Sequence, residues 1–270
     1  MIRLREVEKT FHAGTVNEVR ALRRVSLEIS DGAFVVVLGT NGSGKSTLLN
    51  ALAGSFPLDA GSIELDGCDV TRWAEHRRAR FIGRVFQNPF SGTAPAMSIA
   101  ENFALAMRRG RRRGLGWALP RTLRSELAER VCSLRMGLED RLDTAIGTLS
   151  GGQRQALTLL MATWLRPRLL LLDEHTAALD PKSADQVIRL TEAIVTRDQL
   201  TTLMVTHSMQ QAVNLGDRIV MMHRGGVVHD ATGPDKRRLR VDDLLARFED
   251  IRRRELLDPT AAELLATTYV

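Results

Sequence analysis

Alternating apolar and polar positions near the amino terminus predict strands. Val25, Leu27 and Ile29 are separated by polar residues, which is the period-2 pattern of a half-buried strand. Ala33–Leu38 is a continuous apolar run, typical of a strand buried on both faces, and we expect a helix from about Ser46. Two further strands are expected, a short exposed one at Gly61–Gly67 and a buried one at Arg80–Gln87.

Helical periodicity dominates the middle of the chain. Apolar residues recur at helical spacing in Ile99–Met107 and Leu123–Leu134, and the arginine- and glycine-rich segment Arg108–Gly116 separates the two. We interpret residues 88–150 as a helical insertion into an α/β core.

Strands and helices alternate again after residue 150. The pattern predicts helices at Gln153–Leu165 and Lys182–Thr196, and strands at Leu169–Asp173, Thr201–Thr206, Ile219–Met222 and Gly226–His229. Strands that alternate with crossover helices imply a mostly parallel sheet, so the fold class is α/β.

The carboxyl-terminal tail has the spacing of an amphipathic helix. Apolar residues recur at i, i+3 and i+4 through Val241, Leu244, Leu245, Phe248 and Ile251. We therefore divide the chain into one domain at 1–233 and a helical extension at 234–270, which we expect to pack on the core.

Composition narrows the class of protein. The 270 residues are 44% hydrophobic and 26% charged, which fits a globular chain and excludes collagen-like, mucin-like and wholly disordered ones. No apolar run approaches the roughly 20 residues of a membrane helix, and the amino terminus has no secretory signal pattern. Cys68 and Cys132 form neither a zinc motif nor a disulfide framework, so we expect a reducing, cytosolic environment.

The net charge is +6, and nearly all of the positive charge is arginine, because only four of the 38 basic residues are lysine. It is concentrated in short clusters at 77–80, 108–113, 236–240 and 252–254. We expect these to be solvated loops and helix faces, and we expect no nucleic-acid partner. The alternative for Arg108–Arg113 is contact with lipid headgroups or with acidic loops of a membrane protein.

Three segments carry candidate chemistry. Gly39–Ser46 matches GxxxxGK[ST] between a strand and a helix, where backbone N–H groups can surround phosphate, Lys45 can reach the β/γ-phosphates and the Ser46 hydroxyl can ligate Mg²⁺. The apolar strand ending in Asp173 and Glu174 can supply a magnesium ligand and a base that polarises water. Leu149–Gln153 (LSGGQ) places a serine and two glycines at a helix amino terminus, as a second phosphate-binding element.

These segments occur, together with Gln87, Ala178–Asp180 and His207, in the order found in ABC-type ATPases. Over roughly residues 1–230 the chain resembles the nucleotide-binding subunit of an ABC transporter. The resemblance implies a P-loop ATPase core with a mostly parallel sheet, an antiparallel β subdomain and a helical subdomain at about 88–150.

The resemblance also implies roles for individual residues. Glu174, His207 and Gln87 would be catalytic, and Ser46, Gln87 and Asp173 would hold Mg²⁺. ATP would contact Phe11 through its adenine and, through its phosphates or across a dimer, Gly39, Asn41, Gly42, Ser43, Gly44, Lys45, Ser46, Thr47, Ser150, Gly151, Gly152, Gln153 and Asp180.

The partners that follow from the resemblance are a second copy of the chain and a membrane permease. Two copies would face head to tail, with Ser150 and Gly152 of each completing the ATP site of the other. The subunit would lie at the cytoplasmic face of the plasma membrane, bound through a separate permease and accompanied by a substrate-binding protein.

The segments at 88–102, 206–212 and 236–248 resemble ATPases of tryptophan/tyrosine-type or uncharacterised lipoprotein-dependent uptake systems. We therefore expect an ATPase that energises uptake of an amino acid or another small solute. The alternatives are a lipid-handling or export system, and a soluble ABC ATPase that acts with cytosolic assembly partners.

Overall fold

The structure is a computed structural model that describes residues 1–110 and 121–256. Its strands are β1 (Ile2–Phe11), β2 (Val19–Ile29), β3 (Phe34–Gly39), β4 (Ala60–Leu65), β5 (Cys68–Asp69), β6 (Ile82–Val85), β7 (Leu169–Asp173), β8 (Thr202–Val205), β9 (Arg218–His223) and β10 (Gly226–Thr232). Its α-helices are α1 (Lys45–Ala53), α2 (Glu75–Arg78), α3 (Ile99–Met107), α4 (Arg121–Cys132), α5 (Gly151–Thr163), α6 (Pro181–Asp198), α7 (Met209–Asn214), α8 (Gly233–Arg238) and α9 (Val241–Leu256).

The helices predicted from periodicity at 99–107, 123–134, 153–165 and 182–196 are confirmed to within two residues at each end. Positions 111–113 of the arginine cluster and 257–270 of the extension lie outside the described residues. Across the part of the chain that is described, no helix combines the length and the apolar composition that crossing a bilayer requires.

Two sheets make up the β structure. The larger has the strand order β10-β9-β3-β8-β7-β6, in which every neighbouring pair except β10 with β9 is parallel. The smaller sheet is antiparallel, with the order β2-β1-β4-β5. The predicted α/β class, with a mostly parallel sheet and an antiparallel sheet, is confirmed.

The parallel register brings the chemistry-bearing segments to one edge of the large sheet. Val37 of β3 and Asp173 of β7 both pair with Val205 of β8. The loops that follow these three strands therefore start side by side at the carboxyl ends of the strands, where open α/β sheets bind ligands.

Apolar side chains on both faces of the large sheet build two cores. One lies between this sheet, α1 and the antiparallel sheet, and the other lies under α6, α7 and α9. A third cluster joins α3, α4 and α5 and holds the helices of residues 88–150 together. The strand expected at 61–67 exists as β4, but it is not exposed throughout: Ile63 and Leu65 face the first core and are 0% and 5% exposed.

The helix expected in the carboxyl-terminal tail is α9, and it packs on the core along only part of the predicted apolar stripe, because Leu245 is 44% exposed. Leu244 is fully buried in the second core, and Phe248 and Ile251 are partly buried against it. Burial of this apolar stripe stabilises the docked helix.

Among the described residues, two basic clusters contain a buried residue instead of the expected solvated one. Lys236 is 7% exposed, and its Nζ donates a 2.7 Å hydrogen bond to the carbonyl oxygen of Val213. Arg78 is 1% exposed, and its guanidinium donates hydrogen bonds to the carbonyl oxygens of Ala51 (2.7 Å), Leu52 (2.9 Å), Thr71 (2.9 Å) and Trp73 (3.0 Å). Two of these carbonyls belong to the last turn of α1, where helix carbonyls lack partners within the helix. Arg78 is therefore a structural cap on α1.

Candidate active site

The loop between β3 and α1 has a backbone path that requires glycine. Gly42 and Gly44 have φ angles of +76° and +99°, in the left-handed region that glycine tolerates. A Cβ at Gly44 would lie 2.4 Å from the carbonyl oxygen of Ala21, so a side chain is also excluded there by space. The glycines predicted from GxxxxGK[ST] therefore shape a tight concave loop at the amino terminus of α1.

Lys45 lies inside this loop. Its Nζ donates hydrogen bonds to the carbonyl oxygens of Gly39 (2.8 Å) and Thr40 (2.9 Å), and the residue is 5% exposed. Burial lowers the pKa of Lys45, while the negative charges of Glu174 and Asp173 act in the opposite direction. The cation is thus fixed at the phosphate loop rather than extended into solvent.

Two oxygen ligands suited to magnesium lie next to each other at the start of α1. The Ser46 hydroxyl donates a 3.4 Å hydrogen bond to Oδ1 of Asp173, whose side chain is 15% exposed. Mg²⁺ prefers oxygen ligands and retains several waters in its coordination shell. A hydroxyl beside one partly exposed carboxylate therefore fits the ion.

Glu174 is surrounded by the two other residues predicted to be catalytic. Nε2 of Gln87 donates to Oε2 of Glu174 at 3.2 Å, and Nε2 of His207 lies 2.5 Å from Oε1. The Glu174 backbone has φ +44°, which is an uncommon conformation for a residue other than glycine. The three side chains follow β6, β7 and β8, so the sheet register explains why residues far apart in the sequence meet here.

A cleft of about 520 Å³ connects these groups. It contains ten of the predicted site residues together with His12, Val19 and Ala21; the ten are Phe11, Asn41, Gly42, Ser43, Gly44, Lys45, Ser46, Thr47, Glu174 and His207. The buried Ser43 hydroxyl finds no hydrogen-bond partner among the described residues. The cleft also contains the Lys45 cation and the backbone of the loop at the amino terminus of α1, so its chemistry fits a nucleotide phosphate.

Phe11 forms one wall of the cleft at the end of β1. Its ring meets Phe56 edge-on, with centroids 5.3 Å apart and planes at 85°, and Nζ of Lys9 lies 5.6 Å from the Phe11 centroid. The aromatic ring is thus held in place at the cleft, in a position where a planar base can stack on it.

The residues of LSGGQ lie at a different place. Ser150 caps α5 and accepts a hydrogen bond from the backbone N–H of Gln153, whose side chain accepts from the N–H of Ser150 in return. A Cβ at Gly152 would lie 2.7 Å from Ser183, next to the Asp180 cap of α6. Within the described residues, none of Ser150, Gly151, Gly152, Gln153 and Asp180 lines the cleft of its own chain.

No sequence motif indicated the polar residues that hold the loops carrying Gln87 and His207. Nε2 of Gln155 donates to the carbonyl oxygen of Phe86 at 3.0 Å and ties α5 to the residue before Gln87. Gln211 accepts from the Thr206 hydroxyl at 2.6 Å, which fixes the residue before His207. Gln155 lies two positions after the last residue of LSGGQ, but no periodicity in the sequence indicates its contact with Phe86.

His175 was also not predicted as part of this region. It follows Glu174 and is 1% exposed, and its Nε2 lies 3.0 Å from the Thr191 hydroxyl on α6. Burial lowers the pKa of His175 to about 4, so the ring is neutral at physiological pH and acts as a packing and hydrogen-bonding group.

Comparisons with known proteins agree with this geometry. Residues 22–177 match the family model described as ABC transporter. The chain is 41% identical over 249 residues to a tyrosine transport ATP-binding protein of Clostridioides difficile, covering 92% of this chain and 99% of that protein. It is 34% identical to a spermidine/putrescine import ATP-binding protein of Haemophilus influenzae, covering 86% of this chain but only 58% of that longer protein.

A solved structure has the same fold. It is a dimeric ATP-binding cassette in a post-hydrolysis state bound to ADP and Pi, with a TM-score of 0.71 and 28% identity, covering 86% of this chain and 98% of that one. A phosphate loop, a carboxylate pair at the end of β7 and the LSGGQ segment at α5 are all present here in one cassette fold. The chain belongs to the ABC transporter family, and it is an ATP-binding subunit with ATPase activity.

Proposed function

We propose that this subunit hydrolyses ATP in the cleft between β3, β7 and β8 to energise the uptake of a small solute through a separate permease. The observation that carries the proposal is the convergence of Lys45, the Ser46–Asp173 pair and the Glu174–His207–Gln87 cluster in one place. The phosphate-binding Lys45, the metal-binding Ser46 and the proton-transfer residues Glu174 and His207 all line the same cleft.

Each residue has a role that follows from its position. Lys45 and the loop N–H groups bind the phosphates, and Phe11 stacks on the adenine. Ser46 and Asp173 would hold Mg²⁺, which would supply positive charge to the phosphate oxygens. Glu174 accepts the proton of the attacking water at its Oε atoms, which His207 and Gln87 orient through their contacts with that carboxylate.

The position of LSGGQ supports a head-to-tail dimer. Since Ser150 and the two glycines lie away from the cleft of their own chain, we propose that they close the cleft of a second copy over the nucleotide. The dimeric form of the related cassette is consistent with this arrangement. Asp180 caps α6 beside Gly152 and would lie at the same interface.

An apolar groove along the free edge of β6 is our candidate surface for the permease. This β6 groove has a volume of about 590 Å³ and is lined by Ala53, Glu75, Ala79, Ile82, Arg84, Phe86, Gly92, Thr93, Ala94, Asn102, Leu105, Ala106, Arg109, Thr158, Met161 and Ala162. Phe86 directly precedes Gln87, so an occupant of the groove would contact the strand end that carries a proposed catalytic residue. Through such a permease the subunit would sit at the cytoplasmic face of the membrane.

Arg109 belongs to this groove rather than to a solvated loop. Its Nη2 donates a 3.1 Å hydrogen bond to the carbonyl oxygen of Ala162, and burial lowers its pKa. This contact supports the view that the described start of the Arg108–Arg113 cluster is part of a protein-facing surface.

We propose an aromatic amino acid of the tyrosine type as the transported solute, delivered by a substrate-binding protein. The support is the relative named for tyrosine transport, which aligns over nearly its whole length.

We also propose the division of the chain into an ATPase domain at 1–233, with a helical subdomain at about 88–150, and an extension at 234–270. The packing of α9 on the second core supports a stabilising role for the extension.

The experiment that tests this function is a capture of tagged Glu174→Gln from native membranes in the presence of ATP. Partners are identified by mass spectrometry, and Lys45→Ala is the control that should not form an ATP-bound dimer. Recovery of a multi-span permease supports the proposal, and tyrosine uptake by the reconstituted complex then tests the solute. Recovery of soluble proteins alone would contradict the transport role.

A further inference from the structure

We propose that Arg84 is a positioning residue that holds the Asp173 carboxylate in the place of a divalent cation when no nucleotide is bound. The inference rests on the proposed role of Asp173 as a magnesium ligand. It adds a residue that neither the motifs nor the sequence analysis indicated.

Arg84 occupies a fixed position between three groups. It lies on β6, with its side chain 15% exposed, and pairs in register with Leu171 of the neighbouring β7. Its Nη2 lies 2.6 Å from Oδ1 of Asn50 on α1 and 3.7 Å from Oδ2 of Asp173. The guanidinium carbon lies 4.6 Å from the centroid of the Phe86 ring.

The two oxygens of Asp173 have different partners. The Ser46 hydroxyl donates to Oδ1, and the Arg84 guanidinium faces Oδ2. A cation bound by Ser46 and Asp173 would therefore share the carboxylate with a fixed positive charge. Like charges at one half-buried carboxylate disfavour each other, so the Arg84–Asp173 contact competes with metal binding.

The contact with Asn50 allows the Arg84–Asp173 ion pair to break when a cation binds. When the cation takes Asp173, the guanidinium keeps its shorter hydrogen bond to Asn50 and its contact with Phe86, so Arg84 is not left as an unpaired buried charge. Arg84 also lines the β6 groove. The residue thus connects the proposed permease surface with the metal ligand through a single side chain.

The test is the Mg²⁺ dependence of nucleotide binding in a Glu174→Gln background, which prevents turnover. A fluorescent ATP analogue is titrated with MgCl₂, and its affinity in EDTA is measured separately. Arg84→Met should lower the half-saturating Mg²⁺ concentration by about fivefold, because one competing charge is removed. Arg84→Lys keeps a positive charge on this side chain but loses the planar contact with Phe86, so its half-saturating Mg²⁺ concentration should lie between those of the parent and Arg84→Met. Arg189→Met makes the same chemical change at an exposed position of α6 and should have no effect.

An unchanged or raised half-saturating Mg²⁺ concentration in folded Arg84→Met would overturn the inference. If that variant does not fold, Asn50→Ala provides the opposite test, because it frees Arg84 for Asp173 and should raise the Mg²⁺ requirement by about twofold; no rise would overturn the inference. Asp173→Asn should raise it by more than about tenfold. If Asp173→Asn has no effect, the proposed metal role itself fails, whereas a failure of the Arg84 variants alone leaves that role intact.

Discussion

The nucleotide cleft and the β6 groove have similar volumes but are built from different parts of the chain. The phosphate side of the cleft comes from one continuous segment, Asn41–Thr47, and its shape is set by backbone and glycine. The groove is lined by side chains from several helices, the β6 edge and the following loop. A surface made of backbone can bind the same ligand in many sequences, whereas a surface made of dispersed side chains can be fitted to one partner. The comparison supports our proposal that ATP binds in the cleft and that partner specificity belongs to the groove.

The largest expected effect is on hydrolysis and comes from Glu174. Glu174→Gln removes the proton acceptor but keeps the size of the side chain, so the rate of ATP hydrolysis should fall by about 10²–10⁴-fold. ATP affinity should remain close to the wild-type value. Phosphate release and equilibrium nucleotide binding measure the two quantities, and wild-type turnover would refute the assignment of Glu174 as base.

Nucleotide affinity should respond most strongly to the buried cation of the loop. Lys45→Ala removes a charge-assisted contact to phosphate, which corresponds to about 2–3 kcal/mol and roughly a hundredfold in Kd. Lys45→Arg is the matched control: it keeps the positive charge but replaces the Nζ that donates to the two carbonyl oxygens, so its Kd should lie between those of the wild type and Lys45→Ala. Isothermal titration with ATP and Mg²⁺ checks this, and binding of Lys45→Ala at the wild-type affinity would contradict the role.

Phe11 should contribute a smaller amount. Removing the ring by Phe11→Ala should weaken ATP binding by about tenfold, since stacking of a base on an aromatic residue contributes about 1–3 kcal/mol. Phe11→Tyr retains the ring face and should bind as the wild type does. The affinity for inorganic pyrophosphate, which has no base, should be the same in all three proteins; a parallel loss would indicate a structural role for Phe11.

A substitution in the β6 groove should have the smallest effect on the affinity of the cleft for ATP. Leu105 is 54% exposed on α3, and Leu105→Glu should change ATP affinity by less than about twofold because it does not touch the cleft. Capture of the permease should nevertheless be lost, because a carboxylate is then placed in an apolar surface. Leu245→Glu on α9 is the control at an exposed leucine outside the groove. If Leu105→Glu still captures the permease, the proposal that the β6 groove binds the permease is wrong.

The sequence predicted the cleft better than the groove for a physical reason. Loop, cap and strand-end residues such as Lys45 and Ser150 act through local backbone geometry, which a contiguous motif encodes. Arg84, Arg78 and Gln155 act across the fold, and their partners depend on strand register and helix packing. No local pattern distinguishes a buried arginine that binds carbonyl groups from a solvated one. The sequence therefore predicts a solvated cluster at 77–80, and this prediction is wrong for Arg78.

The position of Arg78 also determines how a substitution at this residue would affect the ATPase. It secures, from the far end, the helix whose first turn contains Lys45 and Ser46. A change at Arg78 would leave every recognised motif intact in the sequence and yet loosen the support of the phosphate loop. Such a variant would be heat-labile rather than chemically inactive, and a survey that inspects only motif residues would classify it as normal.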